Sequence, residues 1–466
     1  MKRPNVLLLY TDQQRWDTIH AGGNPHIKTP NLDRLAQEGA LFTRCYCNSP
    51  VCMPSRQSML SGTYPSVNGC TDNGIEFDED RLTLMDVLST YGYTTANLGK
   101  LHFKNHSDRE HRELHPKYGF DHLVLSDEPG CYDDAYIKWV EERAPEWVEK
   151  CRIALPPAYD GPQNNAPDRD PVRPYTFEAP ENLSHSAFVA DETISFIHQQ
   201  TSGKSWFAIA GFYAPHCPFS TPERFVAMYE QSTMPLPSFD LDGLPHPWDG
   251  AHRDVSDEQW QKVKLYYYAL ITHVDDCVGQ ILDALEASDQ MDETLIIFTS
   301  DHGEHLGDHG ITSKGPPGLD SCIRVPLLIR YPKKITANQQ YDELVESLDI
   351  TSTIVDYCGI QVPPQFQGRS FRGLIEGKEY HPRTSTYTEL KNPFRFSWKA
   401  IRTERYKYCV NQDGQELLYD HQIDPYEQKN VVSDPTYAAA LLEVRQEMLK
   451  RWFTVESQYP RKTAAY

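Results

Sequence analysis

Short apolar runs alternate with helical patterns along the first three-quarters of the chain. Four of the runs have the character of fully buried parallel strands, and they span residues 5–10, 94–98, 205–212 and 294–299. Helices are predicted between them, at residues 29–39, 83–91, 184–200 and 257–288. The first helix has Thr29 as its cap, Pro30 at its first position and Gly39 at its end. This alternation predicts an α/β fold in which helices cover both faces of a large, mostly parallel sheet.

The pattern changes at about residue 368. Four short runs with hairpin spacing follow, at residues 384–390, 397–402, 406–410 and 416–419, and a helix is predicted from about 435 to 453. We therefore predict two domains, a catalytic α/β domain at residues 1–367 and a smaller α+β domain at residues 368–466, the latter an antiparallel sheet with one helix. Residues 144–182 and 234–255 are irregular stretches, the first of them rich in proline and charge.

Polar side chains follow four of the predicted strands. They are Asp12 with Gln13, Lys100 with His102, His216, and Asp301 with His302. In sheets of this kind, ligands bind outside the carboxyl ends of the strands. Each pair alone would be an ordinary turn after a strand, but together they predict a functional site at one edge of the sheet.

The stretch at residues 48–65 predicts a short helix that starts at Pro54 and ends at Gly62. Cys52 would then lie just before the free N–H groups of the helix, a place that favours an anion, and Arg56 adds a positive charge one turn later. From these residues alone, a buried and inert cysteine is an equally good interpretation. A phosphatase loop is unsuitable, because it needs a longer spacing between cysteine and arginine.

Two sets of side chains suggest the chemistry of this edge. The oxygen and nitrogen donors of Asp12, Gln13, Asp301 and His302 suit a hard divalent cation such as Ca²⁺ or Mg²⁺. Cations and proton donors are supplied by Arg56, Lys100, His102, His216 and Lys314. The substrate is therefore expected to be an anion with a leaving oxygen.

Composition narrows the classes of protein. The chain has 466 residues and a net charge of −21, which disfavours a nucleic-acid-binding surface. Its eleven cysteines are scattered without Cys-x-x-Cys pairs, which argues against a disulfide framework and a zinc site. No run has the length of a membrane span, and the first residues lack the apolar core of a signal peptide. We expect a cytoplasmic location and no membrane partner, although a trimmed secreted chain would look the same. The oligomeric state is left open.

Residues 52–56, Cys-Met-Pro-Ser-Arg, resemble the signature of the formylglycine-dependent sulfatases, which belong to the alkaline-phosphatase-like superfamily. Further elements match along almost the whole chain. They are residues 3–6 with Asp12, residues 29–36, 99–102, 214–218 and 299–304, Lys314 with Gly315, and residues 418–425. The combination is highly specific for this family.

The resemblance implies roles for the candidate residues. A formylglycine-generating enzyme would oxidise Cys52 to an aldehyde, whose hydrate is the nucleophile. Asp12, Gln13, Asp301, His302 and the modified Cys52 would bind one divalent cation, Ca²⁺ first, with Mg²⁺ and Mn²⁺ as alternatives. Asp301 would also take the proton of the attacking hydroxyl, and Arg56 and Lys100 would hold the hydrate and sulfate oxygens. His216 and Lys314 would stabilise or protonate the leaving oxygen, and His102 would deprotonate the remaining hydroxyl to expel sulfate.

The implied function is hydrolysis of a sulfate monoester, first of a sulfated saccharide, with aryl and alkyl sulfates open. Gln13 is a departure, since many sulfatases have a second aspartate there, and an Asp-Gln pair also resembles phosphonate monoester and phosphodiester hydrolases of the superfamily. Those relatives typically lack the Lys-x-His element that stands here as Lys100 and His102. A third alternative is a sulfated-glycan binder in which Cys52 stays a thiol. Residues 104–122 and 246–253 are either pocket walls or solvated surface.

Overall fold

A computed structural model describes residues 3–105, 115–153, 170–200, 203–238, 254–315, 317–391 and 397–456. The strands are β1 Asn5–Thr11, β2 Ala40–Tyr46, β3 Thr94–Gly99, β4 His122–Leu125, β5 Tyr175–Thr176, β6 Trp206–Gly211, β7 Ser220–Thr221, β8 Thr294–Ser300, β9 Arg324–Arg330, β10 Gln339–Tyr341, β11 Val345–Glu346, β12 Ser385–Leu390, β13 Trp398–Thr403, β14 Tyr406–Asn411 and β15 Glu416–Asp420. The α-helices are α1 Pro30–Glu38, α2 Cys52–Ser61, α3 Pro65–Asn68, α4 Leu84–Thr90, α5 Ala135–Arg143, α6 Val148–Cys151, α7 His185–Gln199, α8 Glu223–Val226, α9 Asp257–Ala287, α10 Asp320–Ile323, α11 Ser347–Tyr357, α12 Arg372–Ile375 and α13 Ala438–Val455.

The large sheet has the strand order β10-β2-β9-β8-β1-β6-β3-β4, and β11 also pairs with β2. The five strands from β8 to β4 run parallel to one another. Only the pairings of β9 with β8 and with β2 are antiparallel among the described strands of this sheet. The predicted α/β fold with a mostly parallel sheet is confirmed.

Helices cover both faces of this sheet, as the alternating side chains of β1 show. Leu7 and Leu9 belong to an apolar cluster with residues of α1, α7 and α9. Val6 and Leu8 belong to a second cluster with residues of α4 and α11. Every residue of β1, β6 and β8 is buried, and the apolar run in each strand ends abruptly where the polar residues of the sheet edge begin.

The smaller sheet is antiparallel in the order β12-β13-β14-β15, and α13 packs against its middle strands. The shared apolar cluster includes Ile401 and Tyr408 of the sheet and Val444 of the helix. The predicted C-terminal sheet with one helix is confirmed. The cluster also contains Tyr64 and Leu348, so this unit packs directly against the larger part, and the boundary at residue 367 stays a prediction.

Several local features differ from the predictions. α2 begins at Cys52 rather than at Pro54, and Thr29 precedes α1 without capping it, because its hydroxyl contacts Asp33 instead of a helical N–H. The edge strand β4 was not predicted because it is four residues long and none of them is fully buried. Residues 246–253 and most of 104–114 lie outside the described residues. In the described part of the chain, no helix has the length and apolar character needed to cross a membrane.

Candidate active site

Four neighbouring parallel strands deliver the predicted polar residues to one edge of the sheet. Asp12 directly follows β1, Lys100 follows β3 and Asp301 follows β8. His216 lies five residues beyond β6, in the order β8-β1-β6-β3. The backbone ladder continues into the site, since the N–H of Lys100 donates to the carbonyl at the end of β6, 2.8 Å away.

Cys52 is the first residue of α2, whose residues are all buried. Pro54 occupies the third helical position, which is compatible with the helix because the first-turn N–H groups have no helical acceptor. Gly62 ends the helix with φ of 63°, and its N–H donates to the Met59 carbonyl. The start was predicted two residues late because a proline is accepted anywhere in the first turn.

The Cys52 thiol lies between a lysine and a group of side chains of the types that bind metal ions. Its Sγ is 2.7 Å from Lys314 Nζ, 3.3 Å from His302 Nε2 and 3.7 Å from Asp12 Oδ1. Burial, with the nearby Asp12 carboxylate, raises the pKa of Cys52 to about 12. The thiol therefore stays protonated near neutral pH and is a poor nucleophile in the form that the gene encodes.

Asp12, Cys52, Asp301 and His302 bring their ligand atoms within 4.8 Å of one another. His302 Nδ1 lies 2.8 Å from the Gly303 carbonyl and must donate to it, which leaves the Nε2 lone pair facing the cluster. Burial lowers the pKa of His302, so its ring is neutral. An imidazole lone pair and two carboxylates pointing at one place suit a cation.

Gln13 adds an oxygen to this set of possible metal ligands. Its backbone has φ of 67°, and its Nε2 donates to the Glu304 carboxylate. The other end of the amide, Oε1, is buried and has no hydrogen-bond partner among the described residues. A buried acceptor beside carboxylates and a neutral imidazole is the donor set of a hard divalent cation, so the residues fit such a group.

Two fully buried cations neutralise the carboxylates from the other side. Arg56 Nε is 2.7 Å from Asp301 Oδ2, and the guanidinium lies over the Tyr10 ring at 4.5 Å. Lys100 Nζ is 2.8 Å from Asp12 Oδ2. Burial alone would raise the pKa of Asp12, but Lys100 and the other nearby cations outweigh burial and hold it well below the usual range. Asp12 is thus an anion at neutral pH.

Lys314 and His216 form a pair beside the thiol, with Nζ and Nε2 2.7 Å apart. His216 Nδ1 is 2.6 Å from the Cys217 carbonyl, to which it donates, so Nε2 accepts from Lys314. Burial and the Lys314 charge lower the pKa of His216 to about 3. Burial alone would lower the pKa of Lys314 as well, but the hydrogen bond to Cys52 and the negative charge of Asp12 outweigh burial, and the pKa is raised. Lys314 is the member of the pair that carries the proton.

His102 stands two residues beyond Lys100 with φ of 59°. Its backbone N–H and that of Leu101 both donate to Asp127 Oδ1, at 2.7 and 2.8 Å. Asp127 therefore holds the chain in a conformation that is uncommon for a residue with a side chain. The action of the His102 ring on the nucleophile stays a prediction.

Three carboxylates of the site were missed in the sequence. Asp127 and Glu128 follow β4, and Glu128 Oε1 is 3.1 Å from Lys100 Nζ. The signal was the same as at the other strands, a polar cluster after a short apolar run, but it was lost because β4 itself was not predicted. Glu304 stood inside a matched motif without a role.

A large, mostly parallel sheet with a polar site at the carboxyl ends of its strands, together with a small C-terminal antiparallel sheet, defines the alkaline-phosphatase-like fold. The family model described as Sulfatase matches residues 4–360, and that described as N-sulphoglucosamine sulphohydrolase, C-terminal, matches residues 307–453. The chain belongs to the sulfatase family, a family of sulfuric ester hydrolases.

Relatives with different activities align with nearly the whole chain. The multifunctional alkaline phosphatase superfamily protein PehA of Trinickia caryophylli is 30% identical, over 96% of this chain and 95% of its own. An arylsulfatase of Clostridium perfringens is 28% identical, with 96% and 94% covered, and an N-acetylglucosamine-6-O-sulfatase of Bacteroides thetaiotaomicron is 27% identical, with 96% and 85% covered. The crystal structure of a phosphonate monoester hydrolase of Agrobacterium radiobacter has a TM-score of 0.83 and 27% identity, with 97% and 96% covered.

Proposed function

We propose that the protein hydrolyses a sulfate monoester with a formylglycine nucleophile made from Cys52 by a maturation enzyme. The observation that carries this proposal is the position of Cys52 Sγ, which lies 2.7 Å from Lys314 Nζ and within 4.8 Å of the possible ligand atoms of Asp12, Asp301 and His302. A thiol whose pKa is raised to about 12 has no evident use in such a place. The maturation enzyme, with an external oxidant, would convert the thiol-bearing carbon to an aldehyde, and addition of water would give the hydrate. One hydroxyl of the hydrate takes up the sulfuryl group, and loss of the proton from the other then expels sulfate and restores the aldehyde.

Asp12, Gln13, Asp301, His302 and the modified Cys52 would hold one divalent cation. We propose Ca²⁺ because most of the donors are oxygens, with Mg²⁺ and Mn²⁺ as alternatives. When bound, the cation supplies positive charge that polarises a sulfate oxygen and acidifies a neighbouring hydroxyl. Asp301 accepts the proton of the attacking hydroxyl.

Lys314 is the group that protonates the leaving oxygen. Attack at sulfur moves negative charge onto the ester oxygen, so a positioned acid lowers the barrier. His216, neutral and donating to the Cys217 carbonyl, accepts a hydrogen bond from Lys314 and orients its ammonium. His216 thus takes a positioning part rather than that of an acid.

The remaining cations act on the sulfate and on its release. Arg56 and Lys100 are fixed by Asp301 and Asp12, so their charges are preorganised where sulfate oxygens would lie. His102 deprotonates the remaining hydroxyl of the hydrate to expel sulfate. The backbone contacts of His102 with Asp127 hold it for this step.

We propose a sulfated saccharide as the substrate, with aryl sulfate as the next choice. The support is the similarity to an N-acetylglucosamine-6-O-sulfatase and to an arylsulfatase over almost the whole chain. The substrate's sulfate would enter a local positive pocket on a chain whose net charge is −21. Binding should therefore depend on the site's own cations rather than on long-range attraction.

Two observations favour a second candidate function, hydrolysis of phosphonate monoesters or phosphodiesters. Gln13 follows Asp12, and a phosphonate monoester hydrolase has a similar structure at 27% identity. Lys100 and His102 argue for the sulfate ester, since that element is typical of sulfatases.

The test compares substrates on protein produced with a formylglycine-generating enzyme. We expect kcat/KM for 4-nitrophenyl sulfate or N-acetylglucosamine 6-sulfate to exceed that for a 4-nitrophenyl phosphonate monoester and for a bis-4-nitrophenyl phosphodiester. Faster turnover of a phosphorus ester would establish the second candidate instead. Loss of activity in Cys52→Ala with robust activity in His102→Ala would refute the proposed release step.

A further inference from the structure

Glu304 is a fully buried carboxylate whose two oxygens serve different partners. Oε2 accepts a hydrogen bond from Gln13 Nε2. Oε1 accepts the backbone N–H groups of Leu306, at 3.0 Å, and of Ser313. Its own carbonyl accepts from Arg15 Nη1 at 3.0 Å. Main-chain contacts therefore fix the carboxylate independently of its contact with Gln13.

The chemistry of a carboxylate decides which way the Gln13 amide turns. An amide has two N–H donors at one end and an oxygen acceptor at the other, whereas an ionised carboxylate can only accept. In the structure, the nitrogen end of the Gln13 amide lies against Glu304 Oε2 and donates to it. The opposite end, Oε1, is then left as a buried acceptor without a partner among the described residues.

We propose that Glu304 is a positioning residue that turns the Gln13 amide so that its oxygen serves a divalent cation. This inference rests on the metal site of the proposed function. It also accounts for the glutamine at a position where many sulfatases have an aspartate. An anionic side chain at position 13 would face the Glu304 carboxylate with like charge, whereas the neutral amide binds Glu304 with one end and a cation with the other.

A double-mutant cycle on metal affinity tests the proposal without using turnover. Ca²⁺ is titrated calorimetrically into chelator-stripped, matured enzyme, for the wild type, Glu304→Gln, Gln13→Ala and the double variant. In Glu304→Gln, the new amide can donate to Gln13 Oε1 and turn the Gln13 nitrogen toward the cation. We expect the Ca²⁺ Kd to rise about 10-fold or more, as for other groups that orient metal ligands.

The second leg of the cycle separates positioning from a general structural effect. If Glu304 acts through Gln13, Glu304→Gln changes the Kd of Gln13→Ala by less than about 2-fold. Equal losses in both backgrounds would overturn the proposal, as would an unchanged Kd in Glu304→Gln. Glu389→Gln is the matched control, because Glu389 is also buried and accepts a backbone N–H, that of Ser66, outside the cluster. We expect its Kd to equal that of the wild type.

Two further measurements on the wild type keep the proposal testable if a variant does not fold or if the site binds no metal ion. A crystal structure of the Ca²⁺-loaded wild type should have Gln13 Oε1 as a ligand and Nε2 on Glu304, and the reverse orientation or an uncoordinated Gln13 would overturn the inference. If the wild type binds none of Ca²⁺, Mg²⁺ and Mn²⁺, both this inference and the proposed metal site fail. Normal wild-type binding with equal losses refutes this inference alone.

Discussion

Two buried clusters of this molecule contain similar residue types, but they differ in how their polar atoms are satisfied. At the edge of the large sheet are Asp12, Cys52, Asp301 and His302, which we call the sheet-edge cluster. Near the small sheet are Asp320, His421 and Glu427, with Lys407 between them, which we call the C-terminal cluster. Both bring carboxylate and imidazole atoms close enough to share a cation.

In the C-terminal cluster the cation is already a side chain. Lys407 Nζ contacts Asp320, lies 2.8 Å from Glu427 and donates to the Gly318 carbonyl at 3.0 Å. His421 Nε2 is 2.9 Å from the same Glu427 carboxylate. The charges are satisfied within the protein, which makes this cluster a structural ion-pair network that ties Gly318 and Asp320 to the small sheet.

The sheet-edge cluster is not satisfied in this way. Lys100 and Arg56 bind one oxygen each of Asp12 and Asp301. The other oxygen of Asp12 faces the neutral His302 imidazole and the Cys52 thiol. That of Asp301 accepts the backbone N–H groups of Gln13 and His302. The Gln13 oxygen adds a buried acceptor without a partner among the described residues. The comparison teaches that residue types alone do not define a site, and that the unsatisfied Gln13 oxygen distinguishes the sheet-edge cluster.

The largest expected effect separates the buried cysteines of the two regions. Cys52→Ala should lower kcat/KM by at least about 10³-fold, because it removes the precursor of the nucleophile. Cys409→Ala, in β14 beside the C-terminal cluster, is the matched control and should leave kcat/KM unchanged. Steady-state assays on an aryl sulfate check this, and comparable losses in the two variants would remove the distinction between the regions.

Lysine-to-methionine substitutions in the two clusters should separate an effect on activity from an effect on stability. Lys314→Met should lower kcat by about 10²- to 10³-fold through loss of the leaving-group donor, with little change in unfolding free energy. Lys407→Met should cost about 3–5 kcal/mol in urea unfolding, because it leaves two buried carboxylates without their cation.

The folded fraction of Lys407→Met should keep the wild-type kcat. If Lys314→Met proved the more destabilised variant and Lys407→Met the less active one, the functions assigned to the two clusters would have to be exchanged.

A metal titration asks which cluster binds a cation. At 100 times its Kd, Ca²⁺ should stabilise the chelator-treated wild type by about 2.7 kcal/mol. Asp301→Asn should lose this stabilisation because it removes a ligand carboxylate, whereas Asp320→Asn should keep it on a less stable background. Differential scanning calorimetry with and without Ca²⁺ provides the measurement. Retention in Asp301→Asn and loss in Asp320→Asn would place the cation in the C-terminal cluster.

The smallest effect is a dependence on pH. Burial alone would raise the pKa of Asp320, but Lys407 outweighs burial and lowers it. A carboxyl group with a lowered pKa stabilises the fold above the ordinary value of about 4, and this contribution is lost as the pH falls. The difference in unfolding free energy between wild type and Asp320→Asn should therefore shrink between pH 5 and pH 3. A difference that grows in acid would contradict the ion pair.

The strands that carry the site were predictable because each is a continuous apolar run ended by polar residues. β1, β3, β6 and β8 all lie within one or two residues of their predicted ends, and the ladder places them side by side. Ligands of such sheets bind outside the carboxyl ends of the strands, so the polar residues that follow these strands were expected to form the site.

Tertiary contacts account for what the sequence could not reveal. β4 is too short and too exposed to produce an apolar signal, so Asp127 and Glu128 went unnoticed. The pairings of Gln13 with Glu304 and of Lys407 with Asp320 join residues far apart in the chain, and no local pattern encodes them. The neutral state of His216 follows from burial, which cannot be read from the Ala-Pro-His motif itself.

The central claim is that activity resides in a converted Cys52. Preparations with different degrees of maturation can be compared by mass spectrometry of the peptide that contains Cys52 and by turnover of an aryl sulfate in the same samples. We expect turnover to rise in proportion to the formylglycine fraction and to vanish at zero conversion, since the pKa of the unconverted thiol is raised to about 12. Equal turnover in protein that contains only the thiol would contradict the account.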